Sequence, residues 1–223
     1  MIYLLIKFLQ QMKLLPERTV ERLSKYRRVL QRELDNGVDH IYSHELAKLL
    51  HITPVQVRRD IMLIGHTGTL RKGYGIENLI NLIGEIIDCN STSQKVAIIG
   101  IGNLGQALLD YLNSSQTKLQ LSAVFDNNAE KIGNSYSGTL CYNIDSLKKI
   151  VEREGITIGI LTVPPQFAKE ISLMMVDAGI LGIINYTPVS LKLEGAFLEE
   201  YDVITSLEKV AYFAKPRNAK MLS

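Results

Sequence analysis

The sequence predicts a two-domain α/β protein, with a small helical N-terminal domain followed by a doubly wound parallel sheet. Three observations predict this fold class. Apolar residues recur at helical spacing before residue 88, strand and helix patterns alternate after residue 94, and the polar stretch DCNSTSQ separates the two halves. We therefore expect domains at residues 1–88 and 95–223, joined by a linker at 89–94.

The composition is that of a globular protein with enough apolar residues for two modest cores. Of the 223 residues, 46% are apolar and 22% are charged, and the net charge is +2. Residues 16–72 carry 11 Lys or Arg against 7 Asp or Glu, whereas residues 91–223 carry 12 against 13. This asymmetry fits nucleic acid on one side and a small ligand on the other. A solvated basic face explains it equally well.

The N-terminal segment MIYLLIKFLQQM is apolar, but Lys7 interrupts it and it is too short to span a membrane. No small-residue cleavage site follows, so we interpret residues 1–15 as a short helical tail rather than a signal peptide. Cys89 and Cys141 have no metal or redox spacing, which favours free thiols in a reducing cytoplasm over a thiol switch. The histidines complete no metal-ligand set either: His40, His44, His51 and His66.

The first helices of the N-terminal domain follow from apolar spacing and end signals. One helix face is formed by Val20, Leu23, Leu30 and Leu34. Gly37 can end this helix. An extended piece follows around residues 41–42, and Ser43 is expected to cap a helix that runs through Leu50.

The next segment, ITPVQVRRDIMLIG, carries several independent helix signals. Thr53 is a good N-cap, Pro54 suits the first helical position, and Gln56 completes a capping box with Thr53. Gly65 can end the helix. Three apolar residues are spaced to face the core: Val57, Ile61 and Ile64. Helix, tight turn and capped helix together predict a helix-turn-helix.

A basic stretch between glycines, GTLRKGYG at residues 68–75, predicts a hairpin that forms the wing of a winged helix. A capped helix can enter the major groove, where Arg and Gln read base edges, and basic wing residues can neutralise phosphates. The candidate DNA-binding residues are Thr53, Gln56, Arg58, Arg59, Arg71 and Lys72, and Asp60 shares the polar face of the second helix. The alternative is a small helical bundle with a polar face.

The second half alternates strands and helices, which predicts a Rossmann-type doubly wound sheet. The expected strands are 95–100, 120–125, 139–142, 157–163 and 182–186, and the expected helices are 103–113, 145–154, 165–178 and 205–214.

The segment KVAIIGIGNLGQALLDYL has the form of a dinucleotide-binding turn. Gly100 allows the tight turn, Gly102 lets a pyrophosphate approach the backbone, and Gly105 lets the helix pack close to the strand. Asp126 lies 21 residues after Gly105, where a carboxylate would accept hydrogen bonds from an adenosine ribose. No Lys or Arg follows until Lys131, which favours NAD(H) over its 2′-phosphorylated form. The alternative is a nucleotide-type fold that has lost its ligand.

The nucleotide is better explained as a signal than as a reactant. The sheet uses nearly all of the roughly 130 residues after the linker, no histidine follows His66, and no Tyr-x-x-x-Lys spacing occurs in the second half. A hydride-transfer enzyme usually needs such an acid or base, so we expect no enzyme. Two rivals stay open: a small NAD-dependent dehydrogenase, and a CoA- or nucleotide-binding subunit, which the pattern around TVPPQ also suits.

Several motifs together resemble the Rex family of bacterial redox-sensing transcriptional repressors, from about Leu15 to Ala214. They are VRRD, GIGNLGQALLDY, FDNNAEKIG, ILTVPPQFA, AGILGIINYTPVSL and DVITSLEKVAYFA. The resemblance implies competitive binding of NADH and NAD⁺, a homodimer with paired winged helices on an inverted-repeat operator, and release of the DNA by NADH.

The resemblance also implies roles for individual residues. Cofactor binding falls to Gly100, Ile101, Gly102, Asn103, Leu104, Gly105, Asp126, Val163, Pro164 and Pro165, and coupling of cofactor state to domain orientation to Arg28, Tyr111 and Asp202. We hypothesise a buried nicotinamide pocket near Tyr186 and the terminal helix, which disfavours the NAD⁺ cation in the DNA-released state.

The terminal helix, at about residues 205–214, would swap into the partner subunit. Its apolar residues cover most of its circumference, so it needs burial on several sides; core packing within one subunit is the alternative. Many family members carry an aromatic pair where this chain has Met62 and Leu63, and a more compact wing. These departures leave the expected fold unchanged, but the family's operator preference is not carried over to this chain.

Overall fold

The computed structural model describes residues 15–68, 72–88, 94–114 and 118–214. By its internal contacts the chain divides into two compact units, Met1–Thr92 and Ser93–Ser223. None of the helices in these described ranges is long and apolar enough to cross a membrane.

The described residues of the first unit form four helices and a two-stranded sheet. Its helices are α1 (Glu17–Asp35), α2 (Ser43–Leu50), α3 (Pro54–Leu63) and α4 (Ile76–Ile87), and its strands are β1 (His40–Ile41) and β2 (Tyr74–Gly75). The strands pair antiparallel, with Ile41 opposite Tyr74. Helix α1 packs on α4 and α2 packs on α3, which gives the helix-turn-helix formed by α2 and α3.

One apolar core holds these helices together. The inward face predicted for α3 is confirmed, because Val57, Ile61 and Ile64 are buried beside Leu23 and Leu30 of α1. Helix α4 was absent from the sequence-based expectations, although its buried residues recur at helical spacing: Ile76, Leu79 and Ile83. This spacing was the signal that could have identified α4.

The helix caps differ from expectation in two details. Tyr42, not Ser43, is the N-cap of α2, and the Glu45 carboxylate accepts a hydrogen bond from the Tyr42 amide N–H at 2.8 Å. Thr53 caps α3 as predicted, accepting from the Gln56 amide N–H at 3.2 Å. The Gln56 side chain does not complete the capping box, because it turns inward to Asp60.

The expected wing is only partly within the described residues, since 69–71 lie outside them. Its returning end is strand β2, which pairs with β1 and not with an opposing strand inside 68–75 in the part described. The expected N-terminal tail at 1–15 lies almost wholly outside the described residues, as does most of the expected linker at 89–94.

The second unit is a seven-stranded sheet with helices. Its strands are β3 (Lys95–Ile99), β4 (Gln120–Asp126), β5 (Ser135–Tyr136), β6 (Thr139–Asn143), β7 (Ile156–Leu161), β8 (Gly182–Asn185) and β9 (Phe197–Glu200). They follow the order β5-β6-β4-β3-β7-β8-β9. Only β5 runs antiparallel to its neighbour among these strands. The predicted fold class is confirmed.

The helices of the second unit are α5 (Asn103–Ser114), α6 (Leu147–Glu154), α7 (Ala168–Asp177) and α8 (Val203–Phe213). Helices α6 and α7 begin later than predicted, because residues Ile144–Ser146 and Pro165–Phe167 form 3-10 turns. Strands β5 and β9 were not predicted. The first has two residues and the second, FLEE, has two charged ones, so neither shows a strand-like apolar run.

Candidate functional site

The glycine turn lies between the carboxyl ends of β3, β4 and β7. The Gly100 amide N–H donates to the Phe125 carbonyl at 2.8 Å, and the Thr162 amide N–H donates to the Ile99 carbonyl at 2.9 Å. The Thr162 hydroxyl donates to the Gly100 carbonyl at 2.7 Å. Strand pairing and this hydroxyl therefore fix the turn from both sides.

Each of the three glycines has a different environment. Gly100 has φ +99°, and a Cβ atom there would lie 2.9 Å from the carbonyl carbon and oxygen of Thr162. A Cβ on Gly105 would overlap the carbonyl oxygen of Gly100. A Cβ on Gly102 would meet no atom within 4 Å. Two glycines thus permit close backbone packing, and the third leaves open space beside the N-terminus of α5.

Asp126 ends strand β4 and is bonded on both carboxylate oxygens. Oδ2 accepts from the Ile101 amide N–H at 3.0 Å and from Lys131 Nζ at 2.9 Å. Oδ1 accepts from the Asn128 amide N–H at 2.9 Å. Burial by itself would raise the pKa of Asp126, but these hydrogen bonds and the Lys131 charge outweigh it and lower the pKa. The carboxylate is therefore ionised at neutral pH.

A cavity of about 770 Å³ opens at these strand ends. Seven of the residues predicted to bind cofactor line it: Gly100, Gly102, Asn103, Leu104, Asp126, Val163 and Pro164. Four do not: Ile101, Gly105, Pro165 and Tyr186. Ile101 is fully buried in the core, and the Tyr186 ring stacks on that of Tyr201 with centroids 5.4 Å apart.

The rest of the lining was not predicted from the sequence. It comes from Ile99, Phe125, Asn127, Asn128, Lys131, Ile144, Asp145, Thr162, Phe167, Glu170, Ile171 and Met174. Most of these follow the ends of neighbouring parallel strands or lie on α7. The rule that ligands bind outside the carboxyl ends of strands could have located the former.

The cavity and its lining fit a dinucleotide. The cavity volume falls within the roughly 300–1,000 Å³ usual for cofactor sites. The open space at Gly102 beside the N-terminus of α5 suits a pyrophosphate, and the ionised Asp126 suits ribose hydroxyls. Four apolar side chains offer contact for a flat ring: Ile144, Phe167, Ile171 and Met174.

The candidate DNA-reading helix α3 exposes only part of its predicted set. Thr53, Arg58 and Arg59 are exposed, and Arg58 Nη1 donates to the Ser43 hydroxyl at 3.1 Å. Lys72 is exposed, and Arg71 lies outside the described residues. Exposed Met62 and Leu63 follow at the end of the helix.

Asp60 and Gln56 face inward, which corrects their placement on the polar face. Asp60 is fully buried and accepts from Arg22 Nε at 2.6 Å and Nη2 at 2.8 Å, from the Tyr26 hydroxyl at 2.7 Å, and from Gln56 Nε2 at 2.9 Å. Burial opposes ionisation of Asp60, but the bonds outweigh it and lower the pKa. Burial also raises the pKa of the Tyr26 phenol. This network was not predicted from the sequence. Its signal was the four-residue spacing of Arg22 and Tyr26 on α1 and of Gln56 and Asp60 on α3.

The three predicted coupling residues all lie on exposed helical positions or ends. Arg28 is exposed on α1, and Tyr111 is exposed on α5. Asp202 caps α8, accepting from the amide N–H groups of Ile204 at 2.9 Å and Thr205 at 3.2 Å. The Thr205 hydroxyl also donates to Asp202, and this bond, together with the two amide bonds, lowers the pKa of Asp202.

Helix α8 has no buried residue in the single chain. Its large apolar side chains are 58–77% exposed: Val203, Ile204, Leu207, Val210, Tyr212 and Phe213. Core packing of this helix within one subunit is therefore not observed.

No group of three His, Cys, Asp or Glu that could hold a metal ion occurs in the ranges described. Cys141 is a buried free thiol whose pKa is raised by burial and by Asp126. Cys89 lies outside the described residues.

Two family models match the chain. Residues 14–61 match "Putative DNA-binding protein N-terminus", and residues 91–189 match "CoA binding domain".

Whole-chain relatives cover both units. The chain is 35% identical to the redox-sensing transcriptional repressor Rex of Lactobacillus gasseri, over 92% of this chain and 98% of the relative. It is 33% identical to the redox-sensing transcriptional repressor Rex 1 of Thermotoga maritima, over the same shares. Among solved structures, RSP, a Rex-family repressor, in complex with β-NAD⁺ and operator DNA superposes with a TM-score of 0.84 at 31% identity, covering 90% of this chain and 93% of RSP.

Proposed function

The chain belongs to the Rex family of redox-sensing transcriptional repressors, and on that premise we propose that it binds an inverted-repeat operator as a homodimer and releases it when NADH binds. The observation that carries the proposal is the union in one chain of a capped helix-turn-helix with a glycine turn that opens into a cavity. Membership in a repressor family confirms the expectation of a regulator rather than an enzyme. We place its action in the cytoplasm, where a bacterial operator lies.

The nucleotide site would be held by the residues of the glycine turn. Main-chain groups at Gly102 and Asn103 would contact the pyrophosphate, because the helix N-terminus there offers N–H groups and a positive dipole end. Asp126 would accept a ribose hydroxyl, since it is ionised and lines the cavity. RSP has been solved with β-NADH and with β-NAD⁺, which supports the same two ligands here.

The DNA site would be built on α3. Arg58 and Arg59 are exposed at the middle of this helix, and each guanidinium can make a bidentate contact to guanine. Lys72, and Arg71 beside it, would neutralise phosphates. Gln56 was proposed for base reading, but its amide is engaged by Asp60, so we expect it to contribute less than the two arginines.

The homodimer would bury helix α8. A helix with large apolar residues exposed on all sides needs a partner surface, and isolated apolar patches of this kind mark interaction sites. A second copy is the partner that two operator half-sites require, because a two-fold DNA repeat is matched by a two-fold protein.

The switch would be a thermodynamic linkage. A ligand shifts a conformational balance only by its difference in affinity between the two states. NADH must therefore bind the DNA-released state more tightly, and operator DNA must weaken NADH binding by the same factor. NAD⁺ carries a positive charge at the nicotinamide that NADH lacks, so a buried nicotinamide pocket in the released state would disfavour the cation.

The test is fluorescence anisotropy of a labelled inverted-repeat operator bound by the full chain, titrated with NADH and separately with NAD⁺. We expect release by NADH at concentrations where NAD⁺ is bound without releasing DNA. Equal release by both nucleotides would contradict the switch. Absence of DNA binding at low salt, with NADH still bound, would contradict the repressor function.

A CoA ligand is the one rival that a specific observation favours, because residues 91–189 match a CoA-binding family model. Thermal protection of the full chain separates the two. We expect NADH to raise the melting temperature and CoA to leave it unchanged, and the reverse result would favour the CoA reading.

A further inference from the structure

We infer that Lys131 is a specificity-determining residue of the nucleotide cavity, because it neutralises Asp126 at the ribose position and so weakens rejection of NADPH relative to NADH. The inference rests on the proposed function, since it needs a nicotinamide dinucleotide in the cavity. The sequence favours NAD(H), because no Lys or Arg follows Asp126 until Lys131. In the structure, Lys131 nonetheless contacts Asp126.

The turn after β4 brings Lys131 back to Asp126. The Asn128 amide N–H donates to Asp126 Oδ1, and the Lys131 amide N–H donates to the Asn128 carbonyl at 3.0 Å. Lys131 Nζ then lies 2.9 Å from Asp126 Oδ2, with the two side chains 29% and 8% exposed. Both residues line the cavity, so the ammonium group belongs to the wall that a ribose would meet.

Asp126 has little acceptor capacity left in this arrangement. A carboxylate offers about four lone-pair positions. Three are used, by Ile101, Asn128 and Lys131. A ribose that presents two hydroxyls must either leave one unpaired at Asp126 or compete with Lys131. Lys131 would therefore compete with the ribose for this carboxylate.

The charge balance at this wall depends on Lys131. A bare carboxylate repels a 2′-phosphate and accepts from a 2′-hydroxyl, which is the usual basis for selecting NAD(H). With the ammonium group at 2.9 Å the pair is formally neutral, and the ammonium can donate to a phosphate oxygen. Lys131 is the one cation in the described lining, and the other charged groups there, Asp145 and Glu170, are acidic.

Two substitutions should change the preference between NADH and NADPH in opposite directions. Lys131→Met keeps the aliphatic stem and exposes the bare carboxylate, so NADPH binding should fall while NADH binding is kept or improves. We expect the ratio of the NADPH Kd to the NADH Kd to rise about tenfold, the scale of one charge interaction near a protein surface. Asp126→Asn leaves the ammonium uncompensated, so the same ratio should fall below that of the unsubstituted chain.

The experiment titrates the full chain with NADH and NADPH, following nicotinamide fluorescence and, for weak binding, displacement of NADH by NADPH. Lys131→Arg keeps the charge and should keep the ratio. Lys192→Met, an exposed lysine outside the cavity lining, should also leave it unchanged. Near-native circular dichroism and a near-native melting temperature without nucleotide show that each variant is folded.

The results separate this inference from the proposed function. The inference is established if the ratio of the NADPH Kd to the NADH Kd rises in Lys131→Met, stays unchanged in Lys131→Arg and falls in Asp126→Asn. An unchanged ratio in Lys131→Met, or a ratio in Asp126→Asn that does not fall, would overturn it and leave NADH sensing intact. Failure of the unsubstituted chain to bind either nucleotide would overturn both.

Discussion

Two aspartates, Asp60 in the first unit and Asp126 in the second, are both ionised and hydrogen-bonded, yet their surroundings differ. Asp60 is fully buried and accepts four bonds, all from side chains of α1 and α3. Asp126 accepts two bonds from main-chain N–H groups and one from Lys131, at the wall of a cavity.

The difference shows how one residue type can serve two purposes. Asp60 has no acceptor position left for a ligand, so its role is to fix α3 against α1. Asp126 shapes the glycine turn through Ile101, keeps about one acceptor position, and lines the cavity. A buried carboxylate with every acceptor position used therefore holds two helices together, whereas a carboxylate with a position left at a cavity wall can bind a ligand.

The largest expected effect separates these two roles. Asp60→Ala leaves the Arg22 guanidinium and the Tyr26 hydroxyl without their partner, and breaking such a pair costs about 3 kcal/mol. Asp126→Ala should cost about 1 to 2 kcal/mol, because Lys131 and the Asn128 amide can reach water at the cavity wall and only the buried Ile101 amide loses its acceptor outright. Urea unfolding measures both.

Ligand binding provides the control for these two variants. Asp60→Ala should abolish operator binding and leave NADH binding unchanged, whereas Asp126→Ala should weaken NADH binding and leave operator binding unchanged. Equal losses of stability, or loss of both ligands in each variant, would contradict the separate roles of the two aspartates.

Two glycines of the same turn sharpen the distinction between packing and binding. Gly105→Ala places a Cβ against the Gly100 carbonyl oxygen, and such overpacking costs about 1 to 3 kcal/mol. Gly102→Ala meets open space and should change the free energy of unfolding by less than about 0.5 kcal/mol.

The loss of NADH affinity in Gly102→Ala should not be accompanied by a loss of stability, in contrast to Gly105→Ala, whose melting temperature should fall. Gly102→Ala should weaken NADH binding at nearly unchanged melting temperature, because its methyl group occupies the space reserved for the pyrophosphate. A Gly102→Ala variant that binds NADH normally would show that the pyrophosphate lies elsewhere.

Helix α3, the proposed recognition helix, contains a proposed base-reading residue, Arg58, and a residue that positions the helix, Asp60. Arg58→Ala should weaken specific operator binding by about 1 to 3 kcal/mol and relax the base preference at one position. The free energy of unfolding should stay within about 0.5 kcal/mol, since Arg58 is exposed. Operator variants and urea unfolding measure the two effects.

Arg32→Ala is the matched control, because Arg32 is an exposed arginine of α1 outside the proposed DNA contacts. It should change operator binding only slightly. An Arg58→Ala variant that retained full base preference would move base reading to another residue.

The smallest effect is the pH dependence of stability. Both aspartates have a pKa below the ordinary value of about 3.9. A lowered folded-state pKa contributes stability that is complete above the ordinary value and lost as the pH falls through the folded-state pKa. The free energy of unfolding should therefore decrease as the pH is lowered past about 4.

Urea unfolding at pH 5, 4 and 3 checks this dependence. Asp60→Asn and Asp126→Asn should each flatten it, because the titrating carboxylate is gone. If a variant showed the same pH dependence as the unsubstituted chain, the aspartate that it replaces would have the same pKa in the folded and unfolded states.

Most of the fold could be predicted because its signals are local. The caps of α3 and the strand, turn and helix around Gly100 depend on residues within one or two turns of each other. The position of Asp126 followed in the same way from its distance to the glycine turn. Helix α4 was missed although its spacing was present, and β9 was missed because an edge strand with two glutamates lacks an apolar run.

The sequence by itself determined the two-domain order, the capped helix α3 and the glycine turn, since short-range spacing and backbone preferences suffice for these. Only the tertiary structure decided which charged groups meet: Arg22 and Asp60 are 38 residues apart, and Lys131 reaches Asp126 through a turn whose hydrogen bonds no spacing rule describes. It also decided which predicted residues reach the cavity and which pack in the core. Such contacts depend on how separate elements pack, because the free energy of a charge depends on every group that surrounds it.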